Sequence, residues 1–130
     1  MFIDLFETVI SENINYIVMG IMITYGDGNG NQYRIEQDSI EYNPVKPKFS
    51  SSGVYDGGEP VKKTLVPHEV TEIVSIFKKT MTDEASHIEY RVKGSGVITI
   101  REGDAVTSCI LSPRSEKMNK IEQLLNELIS

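Results

Sequence analysis

Residues 87–111 read HIEYRVKGSGVITIREGDAVTSCIL, and the fold follows from how this stretch alternates. From His87 to Val92 apolar and polar residues take turns, as they do on a strand with one buried face. Lys93-Gly94-Ser95-Gly96 then reads as a turn. Val97 to Arg101 alternates again, with Val97, Thr99 and Arg101 on one face. Glu102-Gly103-Asp104 is a second turn, and Ala105 to Leu111 a third strand. Short glycine-bearing turns between alternating runs predict an antiparallel meander. After it, Ser112 is expected to cap a helix and Pro113 to open it. Its apolar stripe is Met118, Ile121, Leu124, Leu125 and Leu128.

Upstream, the same order is written once more. Ile40-Glu41-Tyr42 matches Ile88-Glu89-Tyr90, and Leu65-Val66-Pro67 matches the L-x-P of Leu111-Ser112-Pro113 at nearly the same offset. Strands are expected at Tyr16–Tyr25, bent at Gly20, at Gln32–Gln37, at Ile40–Tyr42 and at Val61–Leu65. A helix follows from Pro67 to about Thr80, with the stripe Val70, Ile73, Val74 and Phe77. A further short amphipathic helix is expected over Met1–Ser11, from the spacing of Phe2, Leu5, Phe6, Val9 and Ile10. Strands with one apolar face need a cover, and helical stripes supply it. The reading is therefore an α+β domain spanning 1–130: a mostly antiparallel sheet with helices on one face. It carries a strand-meander–helix unit used twice, over about 14–82 and 83–130.

Meander, helix, meander, helix, closed by the I-x-x-L-L-x-x-L of Ile121, Leu124, Leu125 and Leu128, resembles in layout the emfourin-type protease inhibitors. The resemblance implies a chain that works by binding a protein. It rests on no diagnostic motif, so it assigns no residue a role.

Composition narrows the class. A chain of 130 residues, 39% hydrophobic and 25% charged, can bury a single core without staples. One cysteine, Cys109, excludes an internal disulfide and fits a reducing compartment. The longest apolar stretch, Ile14–Ile23, is about half a membrane span. Asp4, Glu7 and Glu12 precede it, where a secretion signal would carry positive charge. The expected location is cytoplasmic, with no membrane contact.

The net charge of −6 falls entirely in the first third, where Asp4, Glu7, Glu12, Asp27, Glu36, Asp38 and Glu41 face Arg34 alone. Such a field repels nucleic acid and steers basic partners inward. Lys46, Lys48, Lys62, Lys63, Arg91 and Lys93, with Phe49 and Tyr55 among them, could form a basic and aromatic surface. Lysines on edge strands also deter sheet-to-sheet aggregation, and that reading is preferred.

Chemistry-bearing motifs are sparse. Asp27-Gly28-Asn29-Gly30-Asn31 starts like a calcium loop, with oxygens at alternate positions. Gln32 then stands where the loop needs glycine, Asp38 where it needs a bidentate glutamate, and the flanks read as strands. A glycine-rich hairpin turn explains the same residues. Two histidines, His68 and His87, and one cysteine give no zinc spacing. No phosphate loop or dinucleotide fingerprint is present, so no cofactor is expected. Cys109 reads as a small buried apolar residue.

The functional expectation is thus a non-enzymatic protein-binding module, an inhibitor or immunity-type protein being one concrete form, with another protein, basic in character, as partner. Homo-oligomers through a sheet edge are a further option. The contact residues expected are Glu7, Glu12 and Glu41 from the acidic third, with Phe49 and Tyr55 from the Asn43–Pro60 loop as aromatic anchors. The alternative is a small-molecule binder or enzyme, with a pocket between the sheet and the 43–60 loop lined by Tyr55, His87 and acids.

Overall fold

The computed structural model describes residues 20–47 and 53–130. The expected helix over 1–11 and the first residues of the Tyr16–Tyr25 strand lie outside the described residues. The elements are β1 (Ile21–Gly26), β2 (Gln32–Glu36), β3 (Ser39–Asn43), β4 (Val61–Thr64), α1 (Pro67–Thr82), a 3-10 turn at Glu84–Ser86, β5 (His87–Ile88), β6 (Gly96–Glu102), β7 (Ala105–Leu111) and α2 (Glu116–Ile129). All seven strands join one antiparallel sheet in the order β4-β3-β2-β1-β6-β7-β5.

Alternation along the strands builds the core. Ile35, Ile23 and Ile100 stand side by side across β2, β1 and β6, and Ile40 continues the row on β3. A second row runs Tyr42, Tyr33, Tyr25 and Ile98. All eight side chains are buried. Val70, Ile73 and Phe77 of α1 and Met118, Ile121 and Leu125 of α2 complete the same cluster, so both helices cover this face. The opposite face is polar at its centre: Arg34 pairs with Glu36 at 3.9 Å and with Glu41 on β3. This is the α+β architecture with helices on one face of an antiparallel sheet.

Two local expectations need correction. The strand expected over His87–Val92 stops at Ile88. Beyond it the chain is drawn into a tight turn, in which Ser95 Oγ donates to the Val92 carbonyl and Arg91 Nη2 donates to the Ser95 carbonyl. Gly94 takes φ +85° there, which a β-carbon would resist. Tyr90 is left 77% exposed, whereas its sequence counterpart Tyr42 is buried.

The last helix begins at Glu116, not Pro113, and its cap is Ser115, whose Oγ accepts from Met118 N at 3.3 Å. Ser112 is still engaged with the sheet, its N–H donating to the Ser86 carbonyl at 2.8 Å. The chain cannot coil until that bond is left behind.

Among the described residues, the basic side chains do not gather into one patch. Lys62 and Lys63 sit on β4, while Arg91 and Lys93 follow β5 at the opposite edge. Strand order also differs between the two halves. The first runs β1-β2-β3-β4 in sequence, and the second is ordered β6-β7-β5.

Candidate functional site

The turn Gly26–Asn31 is held by its own side chains. Asp27 Oδ1 accepts from the backbone N–H of Asn29 and of Asn31, each at 2.9 Å, and Oδ2 accepts from Asn31 Nδ2 at 2.8 Å. An aspartate bonding the backbone two residues on is the ordinary reason this residue type opens a turn. The Asp27 carboxylate oxygens, the leading part of the calcium pattern, are thereby committed to hydrogen bonds. Asn31 then reaches outward: Nδ2 donates to Tyr55 Oη at 2.9 Å, and Oδ1 accepts from Val45 N at 2.9 Å. Tyr42 Oη donates to the Gly57 carbonyl at 2.6 Å. The described part of the 43–60 loop is therefore tied down onto the end of the sheet.

Gly28, at the tip of this turn, packs against Gly94 in the turn before β6. A β-carbon at Gly28 would come within 2.7 Å of the Gly94 carbonyl oxygen. Beside the paired tips opens a cleft of about 650 Å³. Gly28 and Lys93 border one side, and Arg114, Met118 and Glu122 border the other. Arg114 has φ +60°, a left-handed backbone that costs a non-glycine residue about 1 kcal/mol. This conformation turns the chain from β7 into α2 and places Arg114 at the rim.

Among the described residues, Glu122 is the one carboxylate on the cleft, and Tyr25 Oη donates to its Oε2 at 2.6 Å. Burial raises the Glu122 pKa; the Tyr25 hydrogen bond opposes this, and the charge of Asp27 adds to it. Tyr25 is pushed well above the usual phenol range, first by burial and then by its bond to Glu122. A raised carboxyl pKa means that the folded state holds this proton more tightly than the unfolded chain does. Stability then falls as pH rises from the unfolded value through the folded one. Glu122→Gln keeps an acceptor for Tyr25 and removes the charge. It should melt higher than the wild type at pH 7, with the gap closing toward pH 4, as read by thermal melts across that range. A gap independent of pH would show that Glu122 titrates normally.

Those residues singled out from sequence that are described do not come together. Glu41 lies on the open face of β3, in ion pairs with Arg34 and with Lys62 at 3.8 Å. Tyr55 is partly buried and bonded to Asn31. Glu7, Glu12 and Phe49 lie outside the described residues. His87 packs under the end of α1, its Nε2 donating to the Thr80 carbonyl at 2.8 Å, so it does not share a pocket with Tyr55. Burial pushes the Cys109 thiol up to about 11, and its Sγ rests 3.4 Å from Met81 Sδ. Among the described residues, no three histidine, cysteine or carboxylate side chains gather as a metal cluster, and no helix is long and apolar enough to cross a membrane.

The cleft itself was not foreseen, because its walls come from two turns and a helix that are distant in sequence. One signal was readable: Glu122 falls four residues after Met118 and beside Ile121, an acid on the apolar stripe. No protein-family model matches the chain, and no curated protein matches it in sequence.

Proposed function

We propose that this chain acts by binding another protein, and that the cleft between the Gly28–Gly94 turn tips and the start of α2 receives a segment of that partner. The observation that carries the reading is the cleft's chemistry. Lys93 and Arg114 stand at its border, with Met118 and Pro113 as apolar surface and Glu122 as a hydrogen-bonding group. Interfaces concentrate their energy where an anchor fills such a recess with a polar rim around it. The groups that catalysis would recruit are otherwise engaged: Asp27 in its turn, His87 on the Thr80 carbonyl, Cys109 against Met81. An inhibitor or immunity-type role in the cytoplasm fits this reading. Glu41, already paired twice, supports a basic partner less than the cleft supports a partner presenting a carboxylate beside an apolar side chain.

Affinity capture from the native host, quantified by mass spectrometry, tests the proposal. A protein retained by the wild type should be lost by at least tenfold with Lys93→Glu/Arg114→Glu, because reversing two rim charges opposes the partner's own. It should be kept by Glu41→Lys. Equal retention by the two variants would reject the cleft. Loss with Glu41→Lys alone would move the contact to the acidic strand.

The second reading, a small-molecule site in the same cleft, is favoured by the Tyr25–Glu122 pair, a proton donor and acceptor held 2.6 Å apart beside open volume.

A further inference from the structure

The outer side of β7 carries backbone groups that no described strand pairs. β5 meets β7 only at His87–Leu111 and Ile88–Ile110. Ser112 N–H points outward to Ser86, and antiparallel residues alternate the side to which their backbone groups point. Ile110, Ser108 and Val106 therefore point outward as well. The two-residue turn Gly103–Asp104 agrees, since it makes Glu102 and Ala105 the pair bonded to each other and leaves Val106 facing away. Only Ile110 has a described partner on that side.

Among the described residues, nothing covers this edge from Val106 to Ser108. The other edge strand, β4, presents Lys62 and Lys63 to solvent, the usual protection against a foreign strand. From Ala105 to Cys109 the free edge has no charge and no proline, and it carries β-prone Val106 and Thr107. Val106 is 54% exposed. Next to it on the same open face is a hollow of about 400 Å³, its apolar side formed by Ile88, Val97, Cys109 and Ile110 and its polar side by Ser108, Glu89 and Arg91.

We infer that β7 pairs with β7 of a second copy of this chain, antiparallel about a two-fold axis through Thr107. This register sets Val106 opposite the other copy's Ser108, so all the open N–H and C=O groups of both residues are satisfied. Directly opposed side chains lie within about 5.5 Å, which brings each Val106 to the mouth of the other copy's hollow, against Ile88, Val97 and Ile110. Within the paired stretch Ala105–Cys109 there is no charged side chain to oppose another, and the free lengths match because the two edges are identical. A pairing this short buries little area, so the dimer is weak and concentration-dependent.

The inference is independent of the cleft. Sedimentation equilibrium from about 10 µM to about 1 mM reads it directly. The wild type should shift toward twice its monomer mass over that range, with the Val106 and Ser108 amides gaining hydrogen-exchange protection in step. Val106→Lys, at an exposed position, should keep the melting temperature and raise the dimer Kd by about tenfold or more, since it acts twice in a two-fold contact. Ser108→Lys provides the same test should the first variant fold poorly. A wild type that stays monomeric at about 1 mM, or a dimer indifferent to both lysines, would overturn the inference. So would protection of these amides in the dilute monomer, which would mean that another part of the chain occupies the edge.

Discussion

Replacing Phe77 with alanine should lower the unfolding free energy by about 3–5 kcal/mol, the largest single-residue loss expected in this protein. Phe77 has no exposed surface and sits on the buried stripe of α1. Its ring meets Tyr25 edge-on, with centroids 6.1 Å apart. Such a contact adds to the area term because the ring's positive edge faces a negative face. The site also resists collapse. Tyr25 belongs to β1, which is bonded on both sides, to β2 and to β6, so the sheet beneath the vacated ring cannot move up. The cavity therefore stays open, and cavity volume is what makes such truncations costly. Urea unfolding followed by circular dichroism checks this, and a loss under about 1 kcal/mol would mean that α1 is not seated where described.

Asn31→Leu should cost about 2–4 kcal/mol, although leucine nearly preserves the volume. Asn31 is only 3% exposed and links three partners: the Asp27 carboxylate, Tyr55 Oη and Val45 N–H. Leucine leaves two acceptors, Asp27 Oδ2 and Tyr55 Oη, and one donor, Val45 N–H, without this partner in a largely buried site, and that penalty exceeds the worth of the bonds themselves. Part of the effect should be local. The 43–60 loop would lose its tie to the turn, so limited proteolysis between Pro44 and Pro60 should quicken well before global unfolding does. An Asn31→Leu protein as stable and as protease-resistant as the wild type would contradict the network.

Much of the architecture was legible from residue pattern. The period-two runs of Gly96–Glu102 and Ala105–Leu111, and the helical stripe of Val70, Ile73 and Phe77, each placed one face toward a common interior. What failed did so for identifiable reasons. His87–Val92 alternates, yet Ser95 and Gly94 supply turn chemistry that competes with pairing, and the turn wins after Ile88. Pro113 has the look of a helix opener, as Pro67 is in fact, but Ser112 is still bonded to Ser86, and Pro113 and Arg114 form a turn, closed by Ser115 N–H to the Ser112 carbonyl with Arg114 at φ +60°, so the helix starts only after it. The 43–60 loop read as a connector or an anchor because composition reports only polarity and stiffness. Its described part is held by Asn31 and Tyr42, which lie outside the loop, and Asn31 has the look of an ordinary turn residue.

The candidate site was the least legible part. Gly28 and Gly94 were each read as local turns, and nothing in their spacing says that their tips touch. Glu122 alone was out of place on its helix face. A cleft is a product of tertiary placement, and sequence periodicity describes single elements.

Hydrogen exchange of the chain, alone and with its captured protein partner, tests the central claim most directly. New protection is expected at the Asn29, Gly94 and Lys117–Asn119 amides, around the cleft, with little change along β3. Protection confined to β3 around Glu41, with the cleft amides unchanged, would contradict it.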